Sequence, residues 1–119
     1  MYTITEVANK FSLSTSSLRY YEKVGLLPPI AKSSSGKRNY KESDIEYLEI
    51  IICLRKTGLS INRIRDFIHL QTNGQPLFSE RIEILDKQRT LINQQIDDLN
   101  ASKEKIIKKI EHYQRKLGN

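Results

Sequence analysis

Leu18-Arg19-Tyr20-Tyr21-Glu22 is the stretch whose reading decides the fold. Leu18 and Tyr21 are three apart, so on a helix they share a face while Arg19 projects elsewhere. Ser14 stands ahead of the stretch as an N-cap, and the helix it starts runs to about Lys23. Gly25 supplies the left-handed position past the helix end, and Pro28-Pro29 forbids continuation. Upstream, Thr3 and Glu6 have the spacing of a capping box, opening a helix whose apolar stripe is Ile4, Val7, Ala8 and Phe11. Ser12-Leu13-Ser14 separates the two. Two short helices joined by so short a turn are a helix-turn-helix unit.

The first turn of the second helix, Thr15-Ser16-Ser17, is the part of such a unit that meets base edges or phosphates. Arg19 offers a fork for a guanine edge or a phosphate, and the phenols of Tyr20 and Tyr21 can donate to phosphate oxygens. Tyr21 reads equally well as a core ring. Residues 30–41 lack helical periodicity. Ser33-Ser34-Ser35-Gly36 is turn material between two short extended pieces, with Lys37-Arg38-Asn39-Tyr40 leading out. Between residues 32 and 41 stand Lys32, Lys37, Arg38 and Lys41 with no acid among them. A basic hairpin beside a helix-turn-helix is a wing, which lays cations along a nucleic-acid backbone.

Composition agrees with that direction. The 119 residues carry a formal net charge of +6, which suits a polyanionic partner, nucleic acid ahead of membrane. One cysteine excludes an internal disulfide framework and a multi-cysteine zinc site, and fits a reducing cytoplasm. No run approaches the ~18 uninterrupted apolar residues of a membrane span, and no signal-peptide pattern opens the chain. No catalytic constellation appears: His69 and His112 are far apart, no glycine-rich phosphate loop is present, and no carboxylate pair stands out. No cofactor is called for.

Further along, Ser43 and Glu46 predict a second capping box, for a helix ending at Gly58. Ile45, Leu48, Ile50, Ile51, Ile52 and Leu54 cover so much of its circumference that it should be buried on more than one side. Ser60 caps a fourth helix through Ile61, Ile64, Phe67 and Ile68. Gln71 to Pro76 reads as polar linker.

From Phe78 to Leu117 the pattern is a heptad. Position a holds Ile82, Arg89, Ile96, Lys103, Ile110 and Leu117, and position d holds Phe78, Leu85, Ile92, Leu99, Ile106 and Tyr113. At ~1.5 Å per residue this helix extends roughly 60 Å, and a narrow a/d stripe of that length needs a partner helix. The partner is expected to be the same helix of a second subunit, with Ile82, Leu85, Ile92, Ile96, Leu99, Ile106, Ile110 and Tyr113 in the interface. In a parallel pair Arg89 and Lys103 would each face its own copy, so an antiparallel pairing is preferred. The expected architecture is mostly α. A winged helix-turn-helix DNA-binding domain covers 1–71, a linker 72–77, and a dimerisation helix forming an antiparallel coiled coil 78–117.

Ile4-Thr5-Glu6-Val7-Ala8, the Leu18–Glu22 run, Gly25-Leu26-Leu27-Pro28, Arg38-Asn39-Tyr40 opening into Ser43-Asp44-Ile45, and Gly58-Leu59-Ser60-Ile61 together resemble the MerR family of bacterial regulators. The resemblance covers the whole chain. It implies a second wing near residues 58–64, a homodimer, and a palindromic promoter operator with an over-long spacer. It also implies activation by bending and untwisting that duplex so that RNA polymerase can engage, a form of indirect readout. The family's DNA-contacting positions carry over onto Thr15, Ser16, Arg19, Tyr20, Tyr21, Lys37, Arg38, Asn39 and Tyr40. They reach the second wing at Ser60 and Asn62.

Two departures narrow the branch: the chain stops at Asn119 without a ligand-binding domain, and no cysteine stands at the start of the long helix. Metal sensing and drug binding are therefore disfavoured. Ile52-Cys53-Leu54-Arg55 followed by Thr57-Gly58-Leu59-Ser60 looks most like the aldehyde- and thiol-stress-responsive branch, which implies that Cys53 is a sensor of reactive electrophiles. Arg55, Lys56 and Arg63 are the nearby cations that would favour its thiolate. The competing reading is a regulator or an architectural DNA-binding protein in which Cys53 only packs, as free cysteines often do.

Overall fold

The computed structural model describes residues 1–118. They fall into two compact units, Met1–Leu77 and a second that begins at Phe78. The elements are α1 (Ile4–Phe11), α2 (Thr15–Lys23), α3 (Glu42–Lys56), α4 (Ile61–Ile68), the strands β1 (Gln71–Thr72) and β2 (Gln75–Pro76), and α5 (Phe78–Gly118).

Local chemistry fixes each boundary of the helix-turn-helix. Thr3 Oγ1 accepts from the Glu6 N–H at 3.1 Å, and the Glu6 carboxylate accepts from the Thr3 N–H at 2.9 Å, which completes the box that starts α1. Ser12 adopts φ 54° and reverses the chain. Ser14 Oγ accepts from the Ser17 N–H at 3.0 Å and starts α2. At the far end Gly25 has φ +81°. Its N–H donates to Glu22 O at 3.2 Å, while the Leu26 N–H donates to Tyr21 O at 2.9 Å. That pair is a Schellman motif, so α2 stops where Gly25 requires. Gly58 ends α3 the same way, with Leu59 N–H donating to Leu54 O at 3.1 Å.

Val7 of α1, Leu18 of α2, Leu48 and Ile51 of α3 and Ile64 of α4 are completely buried and form the centre of the first unit, with Leu26 and Leu27 from the loop after α2. Each such side chain contributes about 1.5–3 kcal/mol of transfer free energy.

Three expectations need correction. First, α3 is not started by Ser43. The Lys41 N–H donates to Asp44 Oδ2 at 2.9 Å, and Asp44 is buried. Tyr40 exchanges backbone hydrogen bonds with Tyr2 at 2.8 and 2.9 Å, so the chain is still extended there and turns into the helix at once, leaving Ser43 inside it. Second, α3 buries one face within its unit, through Ile45, Leu48, Ile51 and Leu54. Ile50 and Ile52 are only half-buried. Third, the polar segment after α4 is a hairpin, with Gln71 paired to Pro76 and Thr72 to Gln75. Asn73 and Gly74 have φ 51° and 77°, the positive values of a two-residue type I′ turn.

The second unit is α5, 41 residues long and hence about 60 Å. Among the described residues no helix is long and apolar enough to cross a membrane.

Candidate nucleic-acid interface

The exposed side of α2 is polar, as its caps and its buried Leu18 require. Ser16, Arg19 and Tyr20 are exposed, and Thr15 is half-buried one turn before Arg19. Arg19 Nη1 donates to Thr15 Oγ1 at 3.4 Å, which aligns the guanidinium along the helix surface. Tyr21 is half-buried, its ring tilted against Tyr20 with centroids 6.4 Å apart.

Residues 31–40 form the expected basic hairpin. Lys32 bridges Arg38, Asn39 N–H donates to Ala31 O at 2.7 Å, and Ser33 N–H donates to Lys37 O at 2.8 Å. Gly36, at φ +82°, makes the tip. Lys32 and Lys37 are exposed, while Asn39 is half-buried. The hairpin and α2 share a concave surface with the start of α1: an open cleft of about 470 Å³ is lined by Thr3, Ile4, Thr5, Arg19, Gly36, Lys37 and Arg38. Arg19 and Lys37 thus come together as cations on one surface.

Of the residues expected at DNA, one stands elsewhere and another is held by a neighbour. Tyr40 is fully buried, and its hydroxyl has no hydrogen-bond partner. Burial pushes its phenol up from the usual tyrosine range, partly offset by Arg38. The β-bridge to Tyr2 turns this ring inward, so Tyr40 is core. Arg38 points back at α2: its Nε donates to Glu22 Oε1 at 2.9 Å, with the two side chains only 24% and 20% exposed.

At the second-wing position, Ser60 and Asn62 are exposed. Ser60 Oγ accepts from the Arg63 N–H at 3.2 Å, which caps α4. Asn62 Oδ1 accepts from Arg65 Nη2 at 2.8 Å, and Arg65 Nη1 donates to Val24 O at 3.0 Å. His69 Nε2 lies 2.9 Å from Gly25 O. Sequence reasoning missed Arg65 and His69. The open carbonyls at the end of α2 were foreseeable, and cations satisfy such groups, but nothing in the sequence says that α4 supplies them.

Cys53 is exposed on α3. It lines a shallow cleft of about 370 Å³ with Phe11, Glu49, Ile52, Lys56 and Thr57. Of the cations expected near it, Lys56 shares that cleft, whereas Arg55 donates to Leu59 O at 3.4 Å. On α5, Ile82, Ile96, Leu99, Ile106, Ile110 and Tyr113 are exposed, and Leu85 and Ile92 are half-buried. Arg89 is ion-paired to Asp86 of its own helix.

A helix-turn-helix with a basic hairpin set against its second helix is a winged helix-turn-helix, the framework of DNA-binding regulators. Comparison with known proteins agrees. The MerR HTH family regulatory protein model matches residues 2–71, and the MerR, DNA binding model matches residues 45–109. The HTH-type transcriptional regulator AdhR of Bacillus subtilis is 43% identical over 72% of this chain, and the match spans 61% of AdhR. A probable heavy metal-dependent transcriptional regulator of Haemophilus influenzae is 39% identical over 92% of this chain and 83% of its own length. Among solved structures, HiNmlR, described as a MerR family regulator lacking the sensor domain and bound to promoter DNA, superposes with a TM-score of 0.85. It is 30% identical, with 96% of this chain and 90% of that one covered. The chain belongs to the MerR family of DNA-binding transcription regulators, in the branch of AdhR and HiNmlR. Its relatives are regulators and not enzymes.

Proposed function

We propose that this regulator works as a cytoplasmic homodimer on a palindromic promoter operator and answers reactive electrophiles, aldehydes above all, through Cys53. Thr15, Ser16, Arg19, Tyr20, Lys37, Ser60 and Asn62 grip the duplex, with Tyr21 and Asn39 at the margin. The exposed a/d stripe of α5 pairs with its copy in an antiparallel coiled coil. The dimer distorts promoter DNA so that RNA polymerase can engage, and binding energy is thereby spent on deformation.

The observation that carries the sensing step is the exposure of Cys53 in a cleft shared with Lys56. A thiolate there adds through Sγ to an aldehyde carbon, and the carbonyl oxygen takes up a proton to give a hemithioacetal. The adduct adds polar bulk beside Phe11 of the helix-turn-helix and Ile52 of α3, which shifts the balance between two settings of the DNA-binding unit.

A promoter-reporter assay with aldehyde challenge tests this. The wild type responds and Cys53→Ser does not. A response that survives the substitution would leave a regulator whose cysteine only packs. For the DNA face, Arg19→Ala weakens specific binding far more than Lys108→Ala on the α5 surface, and equal losses would move the interface elsewhere.

A further inference from the structure

The Arg38–Glu22 pair has a bearing on how the duplex is read. An acid on a DNA-reading helix repels phosphate, so its presence there needs a reason. Glu22 lies in the last turn of α2, three residues past Arg19. Its carboxylate accepts from Arg38 Nε at 2.9 Å, across 16 residues of chain, and both side chains are mostly buried. Immediately after Arg38 the hairpin is tied down twice more, by Asn39 N–H to Ala31 O and by the Tyr40 bridge to Tyr2. The Tyr40 phenol lies in the electrostatic field of Arg38, Glu22 and Arg19 together. Lys37, one residue earlier, is exposed, and it lines the open cleft with Arg19 and with Arg38 itself. Neighbouring cations of one cleft are therefore engaged differently. Lys37 extends to solvent, whereas Arg38 is held through its Nε on Glu22.

We propose that Glu22 and Arg38 act as the clamp that sets the hairpin against the recognition helix, with Glu22 a positioning residue and Arg38 engaged in the clamp instead of on a phosphate. The inference rests on α2 and the hairpin being the DNA face proposed above. It goes further in removing Arg38 from the contacts that family resemblance assigns to it. A guanidinium held on a partly buried carboxylate stays in place, because separating the two would leave an under-solvated charge on each side. The clamp fixes the spacing between Arg19 and Lys37, hence the distance between the groove contact and the backbone contact. Its effect on DNA is geometric and carries no counterion release.

The test measures affinity against salt concentration, using a labelled duplex bearing the sequence that the wild-type protein selects from a random pool. Binding by neutralised phosphates gives a slope of log K against log salt that falls by about 0.9 for each phosphate no longer neutralised. Lys37→Gln flattens the slope by about 1.8 per dimer, two phosphates being released. Arg38→Gln and Glu22→Gln each weaken binding roughly three- to tenfold and leave the slope unchanged. The double variant is no weaker than the weaker single, because the two residues act as one unit. The reversed pair, Glu22→Arg with Arg38→Glu, recovers affinity, and far-UV circular dichroism establishes that every variant is folded. A flattened slope for Arg38→Gln overturns the proposal. So does unchanged or tighter binding by Glu22→Gln, the result expected if Glu22 only repels phosphate. Failure to select any sequence would count against the DNA-face reading itself, and is a separate outcome.

Discussion

Arg65 Nη1 donates to the carbonyl oxygen of Val24 at 3.0 Å, joining residues 41 apart in sequence. Val24 is the C-cap of α2, where unpaired carbonyls and the negative end of the helix dipole meet. The cation on α4 answers both, and Asn62 holds the other side of the guanidinium at 2.8 Å. One residue further, His69 reaches Gly25 O. The recognition helix is therefore anchored at its far end by α4, not only by packing under Leu18. Arg65→Ala should lower unfolding free energy by about 1–2 kcal/mol, the cost of leaving the carbonyl poorly satisfied. Urea denaturation measures it, and Arg65→Lys should recover part, keeping the charge but losing the second prong. An unchanged midpoint for Arg65→Ala would show that the anchor contributes nothing.

Gly25 and Gly36 offer a controlled comparison. Both have positive φ, +81° and +82°. A Cβ at Gly25 would stand 3.4 Å from Arg65 Cδ, whereas a Cβ at Gly36 meets nothing within 4 Å. Left-handed strain alone costs roughly 1–2 kcal/mol for a residue with a side chain. Gly36→Ala should show that cost and no more, while Gly25→Ala should exceed it by disturbing the anchor. Equal shifts in thermal midpoint would mean that Arg65 simply moves aside.

Tyr40 separates a core residue from a DNA contact. Its hydroxyl is buried and unpartnered, so Tyr40→Phe removes an unsatisfied group while keeping the ring. Such a change should be neutral or stabilising, up to about 1 kcal/mol, with DNA affinity retained. Tyr40→Ala should cost about 3–5 kcal/mol through the cavity it leaves. A loss of DNA affinity in a fully stable Tyr40→Phe protein would restore the tyrosine to the interface.

The α1 capping box should be visible in acid. Hydrogen bonds from the Thr3 backbone N–H and then its side chain hold the Glu6 carboxyl below its ordinary 4.5. A carboxylate whose folded value is depressed adds stability above the unfolded value and loses it as pH falls through the folded one. The wild type should therefore melt above Glu6→Gln from pH 7 down to about 5, with the gap closing below about 4.5. A gap that is constant across that range would assign the difference to packing.

How much of this could be read from residues alone follows from the range of each interaction. Capping by Thr3, Ser14 and Ser60 is decided within three residues, and all three caps form as their spacing predicts. Gly25 and Gly58 likewise announce their helix ends. The start of α3 misled because Ser43 with Glu46 has the right spacing, yet the Tyr2–Tyr40 bridge, nearly 40 residues apart in sequence, sets where the extended chain ends. Asn73-Gly74 is a hairpin signal hidden in a segment too short to show strand alternation. The directions of Arg38 and Tyr40 were illegible for the same reason. Alternation along a hairpin says that neighbours face opposite ways, but only the tertiary partner, Glu22 for one and the core for the other, says which way is out.

The lone thiol on α3 has a practical corollary. Because the chain contains one cysteine and that cysteine is exposed, a nitroxide or a dye coupled to it reports from a single known point on each copy. In a pair of copies the two labels form one spin pair or one donor–acceptor pair. A pulsed dipolar or energy-transfer measurement then yields a single distance between the two third helices. Recorded with and without duplex, that distance reads how far the two copies move when DNA is bound, in the protein that carries an adduct on Cys53, with no residue replaced to obtain it.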